Sequence, residues 1–287
     1  MKRIIARLDI KGPNLVKGIH LEGLRVLGSP EKFAKFYYDN GADEIIFQDV
    51  VASLYERNSL HKIISNTVKD IFIPITVGGG LRNFEDIQSA LRAGADKVTL
   101  NTAAIRKPKI INELSQKFGS STIALALEVI KKSNGKYYAF VDNGREETGL
   151  EAVQWVKKAE ELGVGEILIT SVDRDGTSEG YDLELLERIR ESVNVPLIAH
   201  GGASDFENIK DALGYVDAIA IASAFHYGSY KHLNNEESQR KEGNFSFLDS
   251  KNNFNKVRTF SIKELKEYLN DNNIPHRPIE WKRKLQL

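Results

Sequence analysis

Apolar residues along this chain gather in short runs separated by amphipathic stretches. The runs cover residues 3–10, 44–50, 73–77, 97–100, 123–129, 166–170, 196–199 and 218–221. They are rich in Ile and Val, and most lack period-two alternation. That is how strands buried on both faces of a parallel sheet read. Helical patterns lie between them. Residues 30–40 end at Gly41, 83–92 at Gly94, and 150–162 at Gly163. Glycine just past the last turn is the usual C-terminal stop. Ser29 ahead of Pro30 supplies an N-cap and a proline at the first helical position. Eight β–α alternations predict an eight-stranded parallel barrel, with an open doubly wound sheet as the alternative.

An internal repeat strengthens the barrel reading. The segment IPITVGGGLRNFEDIQSAL (73–91) resembles VPLIAHGGASDFENIKDAL (195–213). Pro74 aligns with Pro196, Gly79 with Gly201, Gly80 with Gly202 and Phe84 with Phe206, each pair 122 positions apart. ADEIIF (42–47) and VGEILI (164–169) align at the same offset. Four β–α units per half make a (β/α)8 TIM barrel from two repeated half-barrels, whereas solenoids use shorter periods. Residues 1–287 are therefore read as one barrel. A polar stretch without period, residues 231–259, reads as an insertion before the last helix. Ser261 and Glu264 form a capping box that opens that helix over 262–270. Residues 277–287 form a basic C-terminal tail carrying Trp281.

Composition narrows the classes. The chain has 287 residues, 40 basic and 40 acidic side chains, and no cysteine. Zero formal net charge argues against a surface-wide nucleic-acid footprint. Without cysteine there is no disulfide framework, thiolate zinc site or catalytic thiol. No apolar run reaches the roughly 18–20 residues of a membrane span. The N-terminus meets charge at Lys2 and Arg3, too early for a signal peptide. A soluble, cytoplasmic protein with no nucleic-acid or membrane partner is expected.

In such barrels the chemistry lies at the C-terminal ends of the strands. Gly78-Gly79-Gly80 and Gly201-Gly202 each follow a buried strand and precede a helix. Such turns let the backbone approach a ligand, and the free amides at the helix start favour an anion. Asn101 and Thr102 adjoin the first turn, Ser223 the second, and Thr170 and Asp175 follow the sixth strand. The duplicated turns predict two phosphate sites on opposite sides of one mouth, spanned by a substrate phosphorylated at both ends. The competing reading is two tight turns and nothing more. Asp9 and Glu128 end strands one and five, which are diametrically opposed. Two carboxyls facing across a dry mouth can divide acid and base work, or each can serve a loop structurally. Lys17, in the long loop after strand one, is placed to close over an anionic ligand. Arg3, Glu44, Lys97 and Glu166 begin strands one, two, four and six, where alternating charges would close the barrel bottom.

RIIARLDIK, LVKG, ITVGGGLRN, GADKVTLNTAA, GEILITSVDRDGT and FHYG together resemble the cyclase subunit of imidazole glycerol phosphate synthase, the HisF family. The likeness runs from Lys2 to about Gly228 and resumes over residues 261–277. It implies a bis-phosphorylated ribulosyl aminoimidazole carboxamide ribotide as substrate. Ammonia adds to the ribulosyl carbonyl, the ribotide half is cleaved off, and the imidazole ring closes. The resemblance assigns acid and base to Asp9 and Glu128. It also implies a glutaminase subunit docked at the N-terminal face, feeding ammonia through a gate of Arg3, Glu44, Lys97 and Glu166. No metal or redox cofactor is expected.

The departures from the family pattern fall in the mouth. Glu128 stands where the family has aspartate, and Arg7 where it has cysteine. Val51 replaces a threonine, His200 a serine, and Asn143 a small hydroxylic residue. Scaffold and gate are kept while the centre changes, a pattern that also suits a paralogue from a surface-polysaccharide gene cluster. Such a paralogue would channel ammonia for sugar amidation (acetamidino sugars). A barrel that only activates a glutaminase is a further alternative.

Overall fold

The computed structural model describes residues 1–52, 60–233 and 257–279. The chain starts with β1 (Arg3–Lys11), then a hairpin of β2 (Asn14–Ile19) and β3 (Glu22–Gly28), then α1 (Pro30–Asp39). Next come β4 (Glu44–Asp49), α2 (Leu60–Thr67), β5 (Ile75–Gly78), α3 (Phe84–Ala93), β6 (Lys97–Leu100), α4 (Thr102–Arg106) and α5 (Lys109–Phe118). The second half repeats the plan. β7 (Ile123–Lys131) leads into a hairpin of β8 (Tyr137–Val141) and β9 (Glu146–Glu151), then α6 (Ala152–Leu162). It continues through β10 (Glu166–Ser171), α7 (Leu183–Arg190), β11 (Leu197–His200), α8 (Phe206–Tyr215), β12 (Ala218–Ile221), α9 (Ser223–Leu233) and α10 (Ile262–Asp271).

Every apolar run read from the sequence forms a strand. β1, β4, β5, β6, β7, β10, β11 and β12 pair in parallel, in that order. The ring closes where β12 meets β1, so this is a (β/α)8 barrel rather than an open sheet. The repeat extends to the caps. Asn83 accepts from the Asp86 amide and Asp205 from the Asn208 amide, 122 positions on. Gly94 and Gly163 end their helices in the left-handed conformation.

Two apolar layers hold the barrel. The larger lies between strands and helices and includes Phe33, Tyr37, Phe47 and Trp155. The smaller fills the lumen with Ile5, Ile46, Ala126, Leu168, Ile198, Ala218 and Ala220. Each fully buried aliphatic side chain in these layers contributes about 1.5–3 kcal/mol. Near the barrel bottom, buried Lys266 on α10 donates to Gly41 O, Asp43 Oδ1 and Arg277 O at 2.7–2.9 Å. Those bonds dock the last helix.

Three expectations need correcting. Lys17 lies in strand β2, not in a loop, and is fully buried. Alternation is weak in both hairpins, so periodicity missed them. Residues 150 and 151 end β9, and the helix starts only at Ala152. Helix α9 carries residues 231–233, the start of the segment read as an insertion. Residues 234–256 of that segment, and 280–287 of the tail, lie outside the described residues.

Candidate active site

The four charged residues at the barrel bottom form one ring. Arg3 donates to Glu44 at 2.9 Å and to Glu166 at 2.5 Å. Lys97 reaches the same two carboxylates, Glu44 at 3.2 Å and Glu166 at 2.8 Å. Thr76 adds a 2.6 Å bond to Glu44. Each cation therefore bridges both anions. Such a ring needs no outside counter-ion and leaves the floor neutral.

Above the apolar lumen layer the barrel is crossed by Arg7, a buried side chain. Its Nε donates to Asp9 Oδ1 at 2.9 Å, and its Nη1 donates to Thr170 Oγ1 at 2.9 Å. The guanidinium thus runs from β1 to β10 inside the ring of strands. The repeat explains why it fits. Arg7 pairs with Ile46 as Ala126 pairs with Leu168, so the second half offers only a methyl group at that level.

Asp9 and Glu128 do take matching places. Asp9 pairs with Gln48 on β4, and Glu128 with Thr170 on β10, and those partners are 122 positions apart. Their surroundings differ. Asp9 sits between Arg7 and Lys17, whose Nζ is 3.4 Å from Oδ2. Lys17 also donates to Asp175 at 2.7 Å, and His200 Nε2 lies 3.4 Å from Asp175. Burial alone would push Asp9 up, but Arg7 and Lys17 outweigh it and hold it below the ordinary carboxylate range. Burial likewise opposes Asp175, and Lys17 and His200 drive it well below that range. Glu128 accepts from Asn101 Nδ2 at 2.9 Å and from the Gly144 amide at 3.0 Å, both on Oε2. Burial pushes it up to about 7, only partly offset by Arg7 and the Gly144 amide.

The glycine turns flank these groups. Gly79 and Gly201 share φ +94°, and a Cβ on either would strike the backbone carbonyl of Asp49 or Ser171. Those two carbonyls are themselves 122 positions apart. The first turn opens on a cavity of about 270 Å³ lined by Gly79, Gly80, Asn101, Thr102, Glu128 and Asn143. The second lines a smaller pocket of about 20 Å³ with Gly176, Ser178, His200, Gly202 and Ser223. The Ser223 hydroxyl is buried without a hydrogen-bond partner among the described residues. Lys17 belongs to neither lining. It is paired with Asp9 and Asp175.

Arg82, Arg106 and Lys107 also line the larger cavity and escaped the sequence reading. Their signal was available: Arg82 stands two residues after the glycine turn, Arg106 ends the helix that Thr102 begins, and Lys107 is its C-cap. Arg106 is tied to Asp142 at 2.9 Å. Among the described residues no helix is long and apolar enough to cross a membrane.

Comparison with known proteins agrees with this geometry. The histidine biosynthesis protein family matches residues 3–231. An imidazole glycerol phosphate synthase subunit HisF from Legionella pneumophila is 51% identical over 205 residues, 71% of this chain and 97% of the relative. HisF subunits from Alkaliphilus metalliredigens and Sulfurisphaera tokodaii are each 46% identical, covering 79% and 80% of this chain and 90% and 92% of theirs. A doubled barrel with this likeness over most of its length belongs to the histidine biosynthesis protein family, among the HisF subunits.

Proposed function

We infer that this chain is the ammonia-using cyclase of an imidazole glycerol phosphate synthase, an enzyme of histidine biosynthesis. The observation that carries it is the doubled mouth. Two repeat-related glycine cradles flank two carboxyl groups at one end of a barrel whose other end is a closed ring of charges. The relatives' names support the same reading.

A bis-phosphorylated ribotide would lie with one phosphate on the Gly79–Gly80 turn, near Thr102 and Arg106. Its other phosphate would rest on the Gly201–Gly202 turn beside Ser223. Backbone amides and a helix start at each cradle supply the anion site. The ribulosyl carbonyl would then lie beside Glu128, which lines the cavity, with buried Asp9 across the mouth. Glu128, pushed up to about 7, is matched to proton exchange at neutral pH. Asp9 stays anionic and stabilises positive charge as ammonia adds. A glutaminase subunit would dock against the floor, with Arg3, Glu44, Lys97 and Glu166 gating ammonia into the lumen. The subunit names of the relatives support an assembly. A cytoplasmic location and the absence of a cofactor follow from this reading.

The purified chain, given the ribotide and an ammonium salt, should release imidazole glycerol phosphate and aminoimidazole carboxamide ribotide. No product at high enzyme concentration would sink the assignment. One observation favours a second reading. Arg7 ties up Asp9 at the centre of the mouth, which suits a subunit that does little chemistry itself and hands ammonia on to a sugar amidotransferase. Rescue of a histidine auxotroph lacking its own cyclase subunit would count against that reading.

A further inference from the structure

The two carboxyl groups of the mouth occupy equivalent places in the repeat, yet one residue makes them unequal. Two positions before Asp9 stands Arg7; two positions before Glu128 stands Ala126. We propose that Arg7 is a positioning residue that fixes Asp9 as a permanent anion and leaves proton exchange with the substrate to Glu128. This rests on the cyclase reading above.

Geometry carries the assignment. Both Asp9 oxygens are taken, Oδ1 by Arg7 Nε at 2.9 Å and Oδ2 by Lys17 Nζ at 3.4 Å. Asp9 is 1% exposed and lines neither mouth cavity. Protonating it would leave buried Arg7 without its carboxylate and Lys17 with Asp175 alone, which is unfavourable. The guanidinium is anchored at its far end by Thr170, so it cannot turn from Asp9 without losing that bond too.

Glu128 differs on each count. It lines the larger cavity, and its two hydrogen bonds come from neutral donors on one oxygen. Among the described residues no cation lies within ion-pair distance of it. The charged and titratable groups facing Asp9 are Arg7, Lys17, Asp175 and His200; those facing Glu128 are Arg7, Asp142 and Asp9, with Arg82, Arg106 and Lys107 elsewhere in the same cavity lining. Arg7 and Lys17 balance Asp9 and Asp175 one for one. An ionised Glu128 has no cation among the described residues in direct contact with it, so it is the group that readily takes and returns a proton.

The test compares the full chain with R7M and R7K. Carboxyl-labelled carbon-13 NMR, with D9N and E128Q for assignment, reads each group directly. Asp9 should stay ionised to the lowest pH at which the wild type is folded, and Glu128 should titrate near neutrality. In R7M the Asp9 midpoint should rise by about one pH unit or more, and R7K should restore most of it. If R7M does not fold, R7K alone should show a smaller rise. A wild-type Asp9 that titrates within the folded range at the same pH as in the variant, an R7M Asp9 that stays ionised as far as the wild type, or a Glu128 that does not titrate between about pH 5 and 9, overturns the proposal. Ammonia-driven turnover supplies the second reading. R7M should add an acid-side inflection to the pH profile and lower kcat about tenfold at nearly constant ribotide KM. An unchanged profile also overturns it. If the NMR result holds and the wild type never turns over the ribotide, the cyclase reading fails and the roles of Arg7 and Asp9 stand.

Discussion

Arg3 and Glu166 meet across the floor of the barrel at 2.5 Å, although 163 residues separate them in the chain. Their pairing makes each half-barrel hold the other shut. Lys97 duplicates the link, binding Glu44 and Glu166 from the opposite side. Lys97→Met leaves both carboxylates to share Arg3. Chemical denaturation should show a loss of about 2 kcal/mol. With a glutaminase bound, glutamine-driven turnover should fall well below wild type while turnover on added ammonium changes little. Equal loss in both assays would remove the gate from the proposed route.

Asp175 is the anchor of the buried charges above. It accepts from Lys17 at 2.7 and 3.0 Å and from the Leu21 amide at 3.2 Å, which ties the β2–β3 hairpin over the mouth. Its folded pKa is held well below the ordinary 3.8. A depressed carboxyl contributes stability that is present above its unfolded pKa and lost as pH falls through and below that value. Asp175→Asn leaves Lys17 with Asp9 alone. Urea unfolding at neutral pH should show a loss of about 3–5 kcal/mol, and the acid-side slope below about pH 4 should flatten. A variant with an unchanged acid slope would show that other carboxylates set it.

The strands, the repeat and the floor ring were legible in the sequence because each depends on local pattern or on identity at a fixed offset. Ile and Val runs mark buried strands whichever neighbours they meet, and Gly79 and Gly201 mark the same turn twice. The hairpins were not legible. β9 is largely exposed and carries three glutamates, so its strand character comes from pairing with β8. The role of Lys17 was hidden for a related reason. Its two carboxylates lie 8 and 158 residues away, and only closure of the barrel brings them together. Arg7 stood out as a family departure, but its reach to Thr170 depends on the small Ala126 in the other half.

The glycine turns offer a backbone test. Gly79 sits at φ +94°, and an added Cβ would lie 2.1 Å from Asp49 O, so alanine must shift the main chain. Gly79→Ala should destabilise by about 2 kcal/mol or more and weaken ribotide binding measured by calorimetry. Gly214, exposed near the end of α8, has open space where an added methyl group would point, with nothing within 4 Å. Gly214→Ala should instead stabilise by about 0.5–1 kcal/mol with binding unchanged. Equal effects at the two positions would mean that the turn at Gly79 is not a fixed cradle.

Glu128 makes the opposite pH prediction from Asp175. Its pKa rises from an ordinary 4.5 to about 7 in the folded chain, because burial penalises the charge. Between those values the folded state binds more protons than the unfolded state, so stability falls as pH rises from about 4.5 to 7. Below that window Glu128 is protonated in both states and costs nothing. Above it the full penalty, about 3 kcal/mol, is present. Both of its hydrogen bonds arrive on one oxygen, Oε2, so the carbonyl oxygen of a glutamine can accept them unchanged. Glu128→Gln should therefore match wild type in urea unfolding at pH about 5 and exceed it by up to about 3 kcal/mol at pH about 8. Turnover should move the other way, falling about 100-fold as the proton-exchanging group is lost. A stability difference that is constant across pH would show that Glu128 does not change its charge on folding, and would leave the raised pKa without consequence.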